Sequence, residues 1–257
     1  MPLRPLALAL ACLLGLTPAA RAEEPPVIAA ASDLQFALAE IAEVFRGETG
    51  QEVSLVFGST GNLARQIREG APFQMFLAAD ESFVLDLARD GFTEGEGQPY
   101  ATGRLVIFAP KGSPLTADSA LSGLAEALAG GRVTRFAIAN PEHAPYGQRA
   151  REALRHAGLW EALQPHLVLG ENAAQAAQFA VSGNAEGGIL PQSLALAPGL
   201  VDQGSFAAIP ADWHRPLRQR MVLVTGAGPV ARAFLAFMTG PKARASLLRH
   251  GFEAPED

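Results

Sequence analysis

Four short segments carry the residues in this chain that could do chemistry. They are Ala30-Ala31-Ser32-Asp33, Gly58-Ser59-Thr60-Gly61, Ala144-Pro145-Tyr146-Gly147 and Glu171-Asn172-Ala173-Ala174. Each places small hydroxyl or amide donors just before a stretch of helical period. A helix start exposes unpaired N–H groups and a partial positive charge, which suits an oxyanion. None of the four offers a nucleophile with its base, a metal-ligand cluster or a pair of carboxylates for acid–base work. The chemistry they suggest is to hold a small anion and leave it unchanged.

A tetrahedral dianion is strongly hydrated, so a pocket for it must return many well-aimed hydrogen bonds. Hydrogen bonds to a charged group contribute about 1.5–3 kcal/mol each. About five to eight of them, less the cost of association, reach micromolar to nanomolar affinity without any lysine or arginine. Neutral donors in a fixed cage also select by size.

The elements around these segments alternate. Strands are expected over 27–31, 52–57, 75–78, 104–110, 136–139, 167–170, 187–190 and 219–224. Helices are expected over 34–47, 63–68, 83–89, 121–129, 148–158, 173–181, 229–238 and 242–250. Strands alternating with helices imply an α/β fold of mainly parallel sheets covered on both faces. Breaks near 102–108 and at Pro198, Gly199 and Gly204 suggest two lobes, 23–105 with 202–257 and 106–201.

Residues 1–22 read as a signal peptide: Arg4 begins it, residues 6–16 are apolar, and Ala20-Arg21-Ala22 is an A-x-A cleavage site. The apolar run is too short to span a membrane. Cys12, the one cysteine, falls inside it, so the processed chain has no disulfide and no thiolate chemistry. Export without a disulfide framework points to a bacterial periplasm. Processing leaves 18 basic residues against 26 acidic ones, a net charge of −8, which disfavours nucleic acid as a partner.

Several longer motifs resemble the periplasmic molybdate-binding proteins of ABC transporters. They are Ala29-Ala30-Ala31-Ser32-Asp33-Leu34, Gly58-Ser59-Thr60-Gly61-Asn62-Leu63-Ala64-Arg65-Gln66-Ile67, Gly70-Ala71-Pro72 with Ala78-Ala79-Asp80, and Gly103-Arg104-Leu105-Val106. Asn140-Pro141-Glu142-His143-Ala144-Pro145-Tyr146-Gly147, Gly240-Pro241 and Gly251-Phe252 complete the set. Each is weak alone; their order and spacing over nearly the whole processed chain carry the likeness. The resemblance implies a type II periplasmic binding fold, with molybdate or tungstate held in a cleft between two α/β lobes. It implies a monomer without cofactor or bound free cation that passes its ion to a membrane permease driven by a cytoplasmic ATPase.

Carried over by position, the resemblance implies that Ser32 supplies hydroxyl and N–H, Asp33 its N–H, and Ser59 and Thr60 a second pair, with Thr60 the closer match. Tyr146 and Ala173 would donate from the other lobe. Many relatives place a tyrosine after the strand equivalent to Gly188-Ile189-Leu190; here that position is Pro191, which has no donor. Tyr146, one of two tyrosines, is expected to take over that role.

Plainer readings stand beside these. Ser32, Ser59 and Thr60 taken singly are ordinary helix caps. His143 reads as a solvated loop residue, and Arg149 and Arg151 as a solvated helix face, with Arg149 near the cleft border. Gly226-Ala227-Gly228 mimics a dinucleotide turn but lacks the strand and acidic residue that should follow. The rival readings are a receptor for sulfate, phosphate or a phosphonate, and, in another class, an exported hydrolase.

Overall fold

The computed structural model describes residues 24–255. The signal-peptide reading of 1–22 falls outside them. The first lobe opens with β1 (Val27–Ala31), a 3-10 turn over Ser32–Leu34 and α1 (Gln35–Thr49), followed by β2 (Ser54–Gly58), α2 (Thr60–Arg68), β3 (Phe73–Ala78), α3 (Glu81–Arg89) and β4 (Gln98–Gly103). The second lobe holds β5 (Leu105–Pro110), α4 (Ser122–Ala129), β6 (Phe136–Ala139), α5 (Pro145–His156), α6 (Trp160–Leu163), β7 (Leu167–Gly170), α7 (Ala173–Val181), β8 (Gly188–Pro191), α8 (Gln192–Ala195) and β9 (Gly204–Ala208). The chain then returns to the first lobe with β10 (Leu217–Leu223), α9 (Pro229–Met238) and α10 (Pro241–Arg249).

Each lobe is a five-stranded sheet between helices, ordered β2-β1-β3-β10-β4 and β7-β6-β8-β5-β9. Both sheets are mixed. β1 runs parallel to β2 and β3, and β6 parallel to β7 and β8. The pairings of β10 with β3 and β4, and of β5 with β8 and β9, are antiparallel. Strand–helix alternation sets the parallel half; strands entering from the other lobe supply the antiparallel half.

The lobe boundaries differ from the sequence expectation. Leu105 already belongs to β5. Gly204–Ala208 is hydrogen-bonded along β5, so the chain stays in the second lobe past residue 202 and crosses back through 209–216. The turn residues at Pro198 and Gly199 mark a loop inside the second lobe, because edge strand β9 still follows them.

Side-chain alternation in β1 explains why both faces of its sheet are covered. Ile28 and Ala30 pack with Leu38, Ile41 and Phe45 of α1, whereas Ala29 packs with Leu63 and Ile67 of α2. Phe45 meets Phe234 of α9 edge-on, 5.1 Å between ring centres. The second core, built on Ile107, Phe108, Phe136 and Leu154, extends into the first lobe through Ala31, Ala79 and Leu217. That seam lies at the C-terminal ends of β1 and β6, where open α/β sheets bind ligands.

Candidate oxyanion site

Ser32, Asp33, Ser59, Thr60, Tyr146 and Ala173 all line one cavity at the seam. The other lining residues, Ala31, Gly58, Ala79, Ala144 and Pro145, are small or rigid and let the backbone come close. The space between atoms there, open solvent included, is about 190 Å³. Larger hollows lie elsewhere; one, about 940 Å³ with open solvent included, is bordered by Glu24, Glu52, Gln74 and Pro229 and gathers no set of helix starts. Convergence of donors, not size, singles out the seam.

Two of the hydroxyls are held so that they can act as donors. Ser32 Oγ accepts the N–H of Ala174 across the seam at 3.2 Å. Thr60 Oγ1 accepts the N–H of Ala79 at 3.1 Å. A hydroxyl has one hydrogen and two lone pairs, so an N–H on a lone pair leaves the hydrogen to be aimed elsewhere. Ser59 is the N-cap of α2 but its side chain makes no cap bond; its Oγ lies 2.9 Å from His143 Nδ1 of the other lobe.

The second lobe contributes helix starts. α5 begins at Pro145 after Ala144, with no side-chain cap, so its first-turn amides keep their hydrogen-bonding capacity for a ligand. Proline at the first helical position fixes the entry. A Cβ on Gly147 would stand 2.1 Å from the Ala139 carbonyl oxygen, so only glycine allows α5 to start this close to β6. In α7 the Asn172 side chain caps the N–H of Gln175 at 3.1 Å, while the Ala174 N–H goes to Ser32.

Beneath the cavity lies a buried polar group of four. Gln219 of β10 donates through Nε2 to Asp33 Oδ2 at 2.7 Å and to the Tyr146 hydroxyl at 3.2 Å. Its Oε1 accepts the Tyr100 hydroxyl at 2.6 Å. Both tyrosines of the chain thus meet in one network. Gly103 makes room for it, since a Cβ there would lie 2.3 Å from the Tyr146 hydroxyl. Burial pushes the Asp33 carboxyl from 3.8 up to about 6, against the pull of Gln219 and Tyr146. Burial and the Asp33 charge push both tyrosines well above their ordinary value.

Further bonds tie the lobes together around the cavity. Gly61 N–H donates to the His143 carbonyl at 2.9 Å, Ser193 Oγ to the Asp33 carbonyl at 2.9 Å, and Asn62 Nδ2 to the Glu171 carboxylate. Arg149 of α5, 3% exposed, forms an ion pair with Asp80, the N-cap of α3. Arg149 is therefore a buried link between lobes and not a solvated face. Arg151 remains partly exposed beside Glu142. His143, read as a solvated loop residue, is likewise an interlobe contact. Pro191 pairs in register with Leu105 and is not among the cavity residues.

Sequence reasoning missed His143, Gln219 and Tyr100. Their signal is pairing across long separations, which a linear reading does not hold. Ser59, His143 and Glu171 form a line that resembles a hydrolase triad. Glu171 Oε2 stands 3.6 Å from His143 Nε2, beyond hydrogen-bond distance, and its side chain is 55% exposed. Among the described residues no cluster of His, Cys, Asp and Glu could hold a metal ion.

Residues 26–253 match the family of bacterial extracellular solute-binding proteins. The molybdate-binding protein ModA of Azotobacter vinelandii is 36% identical over 237 residues, 91% of each chain. The protein of that name from Rhodobacter capsulatus is 35% identical over 97% of this chain and 96% of its own. The solved periplasmic molybdate-binding protein of Azotobacter vinelandii superposes with a TM-score of 0.81 at 30% identity, covering 90% of this chain and all of that one. These relatives are solute-binding proteins, not enzymes. The chain belongs to the ModA molybdate-binding family of bacterial extracellular solute-binding proteins.

Proposed function

We propose that this protein captures molybdate, and tungstate with it, in the cavity lined by Ser32, Asp33, Ser59, Thr60, Tyr146 and Ala173. It works in the periplasm after removal of residues 1–22, as a monomer, and delivers the ion to a membrane permease with its cytoplasmic ATPase. The observation that carries this reading is the meeting of both lobes' donors at one small cavity whose single charged lining residue is Asp33. Among the described residues no helix is long and apolar enough to cross a membrane.

Selectivity follows from neutral donors held at fixed spacing, which sort tetrahedral dianions by size. Ser32 and Thr60 each accept one N–H and keep a hydrogen to present, and the amides of Asp33, Tyr146 and Ala173 can only donate. Each lobe carries half the donors, so the ion stabilises the closed state through contacts it cannot make in an open one. A calorimetric panel tests this. Molybdate and tungstate should bind one ion per chain, and sulfate far more weakly. Sulfate binding as tightly as molybdate would replace this reading by that of another oxyanion receptor. Ester turnover that disappears in Ser59→Ala would instead revive the hydrolase reading of the Ser59–His143 contact.

A further inference from the structure

We propose that Asp33 takes up one proton from solution as the oxyanion is captured, and that this proton frees the Tyr146 hydroxyl to donate to the ion. The inference rests on the oxyanion reading of the cavity. Its basis is an unbalanced charge. The Asp33 side chain is buried, 2% exposed, in a residue that lines the site. Oδ2 accepts Gln219, whereas buried Oδ1 has no partner at full hydrogen-bond geometry, with only the Tyr146 hydroxyl and the Asp33 and Leu34 amides pulling weakly on the carboxylate. A dianion placed beside an ionised, buried carboxylate is repelled, and in a low-dielectric setting that repulsion is large.

Among the described residues no cation beside Asp33 offsets it. The elements packed on the Ser32–Leu34 turn include β2, α7 and α8, none of which carries a titratable side chain. α1 carries its charged groups, Glu40, Glu43, Arg46 and Glu48, further along, where Arg46 pairs with Glu43 and Glu40 is engaged with Arg249 and His250. From β10 the group facing Asp33 is neutral Gln219, while Arg218 and Arg220 approach Glu81. β4 brings Tyr100, and α5 brings Tyr146 with Arg149 one turn on, already paired with Asp80. What remains to relieve the repulsion is a proton.

The hydrogen count links that proton to Tyr146. The Tyr146 hydroxyl accepts from Gln219 and has one hydrogen to give. An ionised Asp33 competes for it; the two side chains are close enough to shift each other's proton affinity. Once Asp33 is protonated, its carboxyl no longer needs that hydrogen, and the hydroxyl can turn to the ion. No bond other than the O–H on Asp33 forms.

The sign of the pH effect follows. Without ligand, burial already raises the carboxyl to about 6, and a neighbouring dianion raises it further. Below both values each state holds the proton and affinity is flat. Between them only the complex holds it, so affinity falls as pH rises, by up to about tenfold per pH unit.

The test is calorimetry of the processed chain with sodium molybdate at pH 7 and 8, in two buffers of different ionisation heat. Expected is an uptake approaching one proton per ion, weaker binding at the higher pH, and a protonated-carboxyl band in the infrared difference spectrum on adding molybdate. Asp33→Asn, which keeps the backbone N–H, should bind more tightly than the parent at pH 8 and take up no proton. Binding without proton uptake, uptake that persists in Asp33→Asn, or no carboxyl band overturns the inference. The infrared measurement needs no variant. Failure of the parent chain to bind molybdate at any pH overturns the oxyanion reading itself.

Discussion

The two halves of the cavity are built from different material. The first lobe presents side-chain hydroxyls, Ser32, Ser59 and Thr60, each held by a nitrogen of a neighbouring segment. The second presents helix starts at Pro145 and Ala173, with Tyr146 as its one hydroxyl-bearing residue at the cavity. Side-chain donors are visible to mutation and can be exchanged residue by residue. Backbone donors belong to the fold, so only a change that removes an N–H or moves a helix can reach them.

The sharpest way to break the pair is to unlink the halves. Arg149→Met removes the guanidinium facing Asp80 and leaves a buried carboxylate without its ion-pair partner whenever the lobes close. Loss of one partner of a buried pair costs about 3–5 kcal/mol. Here that cost falls on closure, so molybdate affinity should drop by about two to four orders of magnitude in calorimetry while circular dichroism shows both lobes folded. An unchanged affinity would mean that closure does not need this link.

Ala173→Pro targets a backbone donor directly. Proline suits the first helical position, and Asn172 before it is extended, at φ −147° and ψ 179°, as a residue preceding proline prefers. The helix should persist and only the N–H disappear, weakening binding by about 1.5–3 kcal/mol. Ser32→Ala and Thr60→Ala test the other half, at about 1–3 kcal/mol each. If neither hydroxyl deletion changes the affinity measured by calorimetry, the ion is held elsewhere. Tyr146→Phe should also weaken binding below pH 7; no change would restrict Tyr146 to its amide.

The same contrast governs what could be read from the sequence. Ser32 and Thr60 were legible because a hydroxyl at a strand-to-helix junction is a local pattern. Ala173 has no side-chain chemistry, and only resemblance pointed to its amide. No strand is expected over 98–103 from the sequence, since Pro99 and Gly103 interrupt the strand pattern; in the fold that glycine is what admits the Tyr146 hydroxyl. β9 lay hidden behind the breaks at Pro198, Gly199 and Gly204, which placed the crossover too early. His143 and Arg149 looked like surface residues because their partners, Ser59 and Asp80, are 84 and 69 positions away. Helical periodicity shows that one face of α5 is polar, but it does not show that a second lobe covers that face.

Where the ion sits decides the matter most directly. A crystal of the processed chain grown with tungstate, measured for anomalous scattering at a tungsten edge, should give one strong peak per chain in the seam cavity. The oxygens around that peak should lie within hydrogen-bond distance of Ser32 and Thr60 on one side and the amides of Tyr146 and Ala173 on the other. A tungsten peak in any other part of the molecule, or one touching donors of a single lobe, would contradict capture by closure of two complementary halves.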